Sequence, residues 1–372
     1  NNFGTGGTTG GTMNNIYFQD QWRVIPRLTL SLGLRLENEH VPSFRRDIRD
    51  YAFSFGFGDK IAPRLGASFD LFGDGRIKLY GSFGRTFDWV KYELSRGTFG
   101  AQFWKIDYRT LDTLDVFSLS GTNKPGTNVW AADPNSQRDR RIPAFDLVAD
   151  GIKPMSADLI NVGSEIQLAN QMVLRVGYVH NNLRRTIEDL GALDAQGNEV
   201  YLYGNPGEGA ATIQPTSGAT APFPMPKPVR KYDALEFQLT RRFSSGYFAS
   251  FSYVYSRLYG NYAGLANSDE ITLPTTNVGS GTAQQLGGSV SRQGGNANRS
   301  WDLDEILFDS HGNVDIQGRL NTDRPHVVKI YGAKEFKWGT NVGLFFYGGS
   351  GTPVSTFVYT RNQIPVFVNG RG

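Results

Sequence analysis

The chain has 372 residues, no cysteine, a formal charge of +3, 20% charged residues and 39% hydrophobic residues. Without cysteine there is no disulfide framework and no Cys-ligated metal site, and the near-neutral charge balance gives no reason to expect nucleic acid as a partner. No run approaches the roughly 18 consecutive apolar residues of a spanning helix, whereas Gly (45), Phe (25) and Tyr (17) are abundant.

From the N-terminus, Asn1 to Asn15 is rich in Gly, Thr and Asn and lacks the basic and apolar regions of a signal peptide. Gly4 to Gly11 reads as a flexible loop, because no strand-then-helix context surrounds it to cradle a phosphate. Ile16 to Val24 then forms a first strand, broken at Ile25-Pro26-Arg27. Leu28-Thr29-Leu30-Ser31-Leu32-Gly33-Leu34-Arg35-Leu36-Glu37 follows, with Leu at every even position. A period of two over ten residues means a strand with one wholly apolar face. It is also the length of a tilted strand that crosses a membrane.

The pattern recurs in pairs. Pro63 to Leu71 and Ile77 to Phe87 flank Gly73-Asp74-Gly75. Ile160 to Leu168 and Met172 to His180 flank Ala169-Asn170-Gln171. Leu235 to Thr240 precedes Ser244-Ser245-Gly246 and the strand from Tyr247 to Tyr255. Pro325 to Phe336 and Asn341 to Gly349 flank Lys337-Trp338-Gly339-Thr340. These are five hairpins, about ten strands, each closed by a short turn.

The connections between hairpins are long: 38–59, 88–156, 183–229 and 258–323, far beyond usual loop lengths. Strict alternation of tiny turns with long loops is the asymmetry of an outer-membrane barrel, with short periplasmic turns and long extracellular loops. Trp22, Phe72, Phe243, Tyr247 and Trp338 lie beside the short turns, where an interfacial girdle belongs. The expected fold is therefore all-β, an antiparallel transmembrane β-barrel present in part. On this reading Arg35, Glu37, Arg64, Asp70, Glu165, Arg175 and Glu236 face inward, towards the lumen.

Several segments resemble the Oar-like TonB-dependent receptors of the outer membrane. They are Tyr17-Phe18-Gln19-Asp20-Gln21-Trp22-Arg23, Ile187-Glu188-Asp189-Leu190-Gly191, Tyr203-Gly204-Asn205-Pro206-Gly207 and Lys231-Tyr232-Asp233-Ala234-Leu235-Glu236. Ser256 to Tyr262, Gly318 to His326 and Gly349 to Pro353 continue the series. The resemblance runs over nearly the whole chain and rests on the order and spacing of the segments. It implies a barrel of 22 strands, a plug in the lumen and energy delivered by TonB through the N-terminal region of the parent protein. Residues 1–372 would then be part of the barrel domain, without plug or C-terminal strands. They would sit in the outer membrane of a Gram-negative bacterium, in contact with its lipid, and serve energised uptake of a large ligand such as a peptide, metal chelate or glycan. A non-transporting surface barrel (adhesin or assembly scaffold) and a passive porin are the alternatives.

No enzyme signature is present: the four histidines are scattered, and there is no His-Glu-x-x-His, Walker loop or Gly-x-Ser-x-Gly. No cofactor is expected. Asp302, Asp304 and Asp309 are weak candidates for a cation, since carboxylates suit calcium but the spacing is not that of an EF-hand. For ligand capture the candidates lie in 88–156: Trp89, Tyr92, Trp104 and Trp130, with the basic Arg138, Arg140 and Arg141. Aromatic and Arg side chains dominate binding energy at interfaces; a loop this long can instead bury its own aromatics.

Overall fold

The computed structural model describes residues 2–4, 10–43, 46–90, 98, 103–108, 137–139, 147–193, 199–209, 211–214, 223–262, 264, 308–309, 317–353, 357–359 and 365–367. Ten long strands follow one another in chain order: β1 (Thr12–Ile25), β2 (Leu28–Pro42), β3 (Tyr51–Asp70), β4 (Ile77–Phe87) and β5 (Ser156–Ala169), then β6 (Met172–Arg185), β7 (Arg230–Ser244), β8 (Tyr247–Gly260), β9 (His326–Glu335) and β10 (Asn341–Gly349). They form one sheet in that same order, with Gly318–Arg319 added beside β8. The end strands β1 and β10 do not pair with each other among the described residues, so the sheet is open.

The chain divides into two compact units. One comprises Asn1–Thr12, His40–Ser54 and Val90–Val148; the other comprises Met13–Glu39, Phe55–Trp89 and Ala149–Gly372 and holds nearly all of the long-stranded sheet.

Cross-strand register separates two kinds of row in that sheet. One row reads Ile77, Ile166, Leu174, Leu239, Phe251, Ile330 and Phe346, apolar on every strand from β4 to β10. The row one residue away reads Asp70, Lys78, Glu165, Arg175, Gln238, Ser252, Lys329 and Tyr347, polar on every strand from β3 to β10. Successive side chains of a strand point to opposite faces, so one face is apolar and the other polar. The inward set expected from sequence falls on the polar face: Asp70, Glu165 and Arg175 share a row, Glu236 lies in the next one, and Arg64 lies further along the same face of β3. Its apolar counterpart is exposed, Leu32 at 43% and Phe237 at 37% among others.

The short turns use turn chemistry. Between β7 and β8, Ser245 (φ 52°) and Gly246 (φ 76°) both adopt positive φ, the requirement of a two-residue I′ hairpin. Between β3 and β4, Asp70 accepts the N–H groups of Gly73 and Gly75, each at 2.9 Å. In the same turn the backbone N–H of Arg76, then its guanidinium, holds the Asp74 carboxyl below the usual carboxylate range. A depressed carboxyl pKa stabilises above its unfolded value, so this contribution is lost as pH falls through the folded one. Trp22, Phe72, Phe243, Tyr247 and Trp338 are all exposed at this end, with Trp338 stacked on Phe336 at 4.5 Å.

The opposite end departs from the sequence-based boundaries. β2 and β3 run on to Pro42 and back from Tyr51, so the expected loop 38–59 shrinks to 43–50. Residues 183–229 contain the hairpin Glu188–Leu193/Glu199–Gly204 and the pair Ile213–Gln214/Phe223–Pro224. Residues 88–156 contain Phe103–Tyr108 and Gln137–Asp139, which pair with each other, and Asn2–Gly4 pairs with the former. Gly4 thus ends a strand, where the sequence suggested loop.

Replacing Leu32 by Arg in the full-length protein is expected to cost about 2–4 kcal/mol if the residue lies near a bilayer midplane, and Ser31→Arg much less. Denaturant titration in detergent or lipid measures both; equal sensitivity at 31 and 32 would mean a sheet buried on both faces.

Candidate functional site

On the polar face, charges alternate along the row: Asp70, Lys78, Glu165, Arg175. Lys78 Nζ meets Glu165 at 2.6 Å. Arg175 Nε donates to the Tyr80 hydroxyl at 2.9 Å, with its guanidinium 5.5 Å from the ring centroid. Tyr80 lies across Gly163, where an added Cβ would sit 2.6 Å from its hydroxyl and 2.5 Å from the Val176 carbonyl oxygen. The glycine is therefore what lets the tyrosine lie flat against the wall and reach Arg175.

Higher on this face a second cluster is more enclosed. Lys60 is completely buried and donates to Glu39 at 2.5 Å, with the Phe55 ring 5.6 Å from its ammonium. Arg35 pairs with Glu37 two residues along the same strand. Burial of this kind needs the pairing, since an isolated charge out of water is costly.

Between the two clusters lies a groove of about 630 Å³, bordered by Arg35 and Arg64 and lined by Ser31, Gly33, Gly66, Ser82 and Gly84. Small side chains on three adjacent strands open it. A Cβ on Gly33 would meet Arg64 Cβ at 3.4 Å, and one on Gly66 would meet Ser31 Cβ at 3.5 Å. Chemically, the face offers alternating charge and guanidinium donors beside an uncharged trough. No nucleophile–base pair is built there, and no group of three or more His, Asp or Glu that could hold a metal occurs among the described residues.

The long connections of the larger unit fold into a core of their own. Leu190, Leu202, Ala211, Met225 and Tyr262 are buried together, with Ala149 and Leu183 against them. Two asparagines tie the segments. Asn205 accepts from Lys153 N at 2.7 Å and donates to the carbonyl oxygens of Lys153 and Thr186. Asn261 accepts from Val229 N at 2.6 Å and donates to the Lys227 carbonyl.

Of the ligand-capture candidates, Trp89 is 63% exposed directly after β4. Trp104 and Arg138 sit on the paired strands Phe103–Tyr108 and Gln137–Asp139, with Trp104 opposite Phe3. Tyr92, Trp130, Arg140 and Arg141 lie outside the described residues, as do Asp302 and Asp304. Asp309 ends the short strand Phe308–Asp309. Sequence reading missed Lys60, Lys78 and Tyr80 as members of the polar face. Parity along each strand would have found all three: Lys60 stands in phase with Arg64 on β3, and Lys78 and Tyr80 alternate with the apolar Ile77 and Leu79 on β4.

A family model for an outer membrane beta barrel domain matches residues 56–303. The TonB-dependent transporter Oar of Myxococcus xanthus is 29% identical over 380 aligned residues, which cover 96% of this chain and 32% of that protein. The crystal structure of the outer membrane transporter YddB from Escherichia coli superposes with a TM-score of 0.54 at 10% identity, over 97% of this chain and 37% of that one. The chain thus spans about a third of the length of these proteins.

Gly163→Ala should destabilise the wall by about 1–3 kcal/mol, because the new methyl meets backbone as well as Tyr80. Gly84→Ala, with nothing within 4 Å of its Cβ, should stay within about 0.5 kcal/mol. Thermal or denaturant unfolding of the full-length variants checks the pair; equal losses would contradict the close approach at Gly163.

Proposed function

Since this chain belongs to the outer membrane beta barrel domain family, we propose that it supplies the barrel wall and extracellular capture loops of a TonB-dependent receptor for a large ligand. The protein is integral to the outer membrane: its leucine-rich face meets lipid and its charged face lines the lumen. The observation that carries the transport reading is the likeness to the TonB-dependent transporter Oar along 96% of the chain. The polar face supports it, because a lumen row charged on neighbouring strands suits contact with a polar filling or with water. A partner at the TonB complex follows from the same likeness and would act through parts of the full-length protein that precede the wall.

Ligand selectivity belongs to the long-loop end in this reading. Turns of two to five residues cannot enclose a large ligand, whereas the long connections of the larger unit build a paired hairpin and a core. Trp104 and Arg140 lead the capture candidates, supported by Trp89, Tyr92, Trp130, Arg138 and Arg141; Trp, Tyr and Arg are the residue types enriched in binding hot spots.

Two measurements test this. Full-length protein in a planar bilayer should show no steady pore and should bind the periplasmic domain of TonB; a constant open conductance without TonB binding identifies a porin. Trp104→Ala and Arg140→Ala should each weaken ligand binding by over about 1 kcal/mol at normal surface abundance. Unchanged binding for both would move the capture site elsewhere.

A further inference from the structure

The lipid-facing side of the wall changes character within two rows at the long-loop end. The row Gly81, Val162, Tyr178, Leu235, Tyr255 is the last to be mainly apolar. The next reads Phe83, Ile160, His180, Asp233, Arg257, and the one beyond it reads Arg85, Asp158, Asn182, Lys231, Tyr259. All of these residues share the parity of the apolar face, so they point outward from the barrel, at the edge of the hydrocarbon.

The carboxylates of this belt are already engaged. Asp158 receives Arg85 through two nitrogens, at 2.8 and 3.2 Å. Asp233 Oδ1 receives the Tyr178 hydroxyl at 2.5 Å and faces His180 Nδ1 at 2.7 Å. Arg184 reaches Asp158 only at 3.6 Å. Arg257 stacks on Tyr259 at 4.1 Å, and Lys231 has no ion-pair partner among the described residues. Arg184, Lys231 and Arg257 are exposed, while Ser256 and Leu258, which point the other way, are buried. The three cations lie on adjacent strands β6, β7 and β8: Lys231 is diagonal to Arg257, a separation of about 7–8 Å that long side chains span, while Arg184 follows Asn182, the partner of Lys231, at an irregularity of β6 and reaches towards the outward Asp158.

We propose that Arg184, Lys231 and Arg257 form a site on the outer wall for the phosphate of an anionic membrane lipid headgroup. The belt holds an excess of cations over carboxylates just beyond the last mainly apolar row, and guanidinium and ammonium groups are the usual partners of phosphate. Tyr255 and Tyr259 flank it with the amphipathic rings that favour an interface. A lumen ligand cannot use this surface, because it lies on the opposite face of the sheet from the charged row.

The test uses full-length protein in detergent and native mass spectrometry, with phosphatidylglycerol and phosphatidylcholine of matched acyl chains as probes. The wild type should retain phosphatidylglycerol about tenfold better, and the variant carrying Arg184→Gln, Lys231→Gln and Arg257→Gln should lose that preference. Lys329→Gln, on the luminal face, should keep it. Heat-modifiable gel mobility reports folding, and if the triple variant fails to fold, Lys231→Gln alone should lower the preference about threefold. An undiminished preference in the folded variants, or equal loss in Lys329→Gln, overturns the proposal. So does displacement of the lipid by millimolar inorganic phosphate, which would mark a site for free anions.

Discussion

In hydrocarbon no water is available to a backbone amide, so every N–H and C=O that crosses must pair within the protein. That constraint explains why the described wall is a continuous ladder in chain order, with Met172 to Asn182 paired without interruption to Arg241 through Lys231. Unbroken pairing forces a strict period of two, and the period sorts residues onto two faces that meet different solvents. Among the described residues no strand pairs with the outer edge of β1 or β10, and backbone groups left unpaired at a sheet edge need cover within a bilayer.

The two faces divide the work. Outside, Leu, Ile, Phe and Tyr present area to lipid and leave the sheet indifferent to neighbouring water. Inside, the Asp70–Lys78–Glu165–Arg175 alternation neutralises itself strand by strand, and Tyr80 lies over a glycine to complete it. The polar lumen can thus hold charge without long-range repulsion. At the long-loop end the logic reverts to that of a soluble protein. A small apolar core forms around Leu190 and Tyr262, with asparagines satisfying loop backbone.

Much of this was readable from residues alone. Leu28 to Glu37 declares its faces without any structural help, and the Gly-Asp-Gly and Ser-Ser-Gly turns mark the short-turn end. The inward charges followed from the same parity. Strand ends at the long-loop side were not legible, because above the hydrocarbon the outward face turns polar while the ladder continues. Alternation therefore fades at Asn38 and His180, although pairing runs to Pro42 and Arg185. The contact of Tyr80 with Gly163, and the pairing of Asn2–Gly4 with Phe103–Lys105, join residues some 80 to 100 positions apart. Local pattern carries no signal for such pairs.

The alternation along Leu28 to Glu37 divides lipid from lumen. This chain has no cysteine, and with any cysteine elsewhere in the full-length protein replaced by serine, single cysteines at successive positions 30 to 35 can carry a spin label in a lipid bilayer. Accessibility to oxygen, which concentrates in lipid, and to a water-soluble nickel chelate is then measured site by site. Opposite oscillations with a period of two are expected, oxygen highest at 30, 32 and 34 and nickel highest at 31, 33 and 35. Profiles without that period, or with both reagents peaking at the same positions, would contradict it.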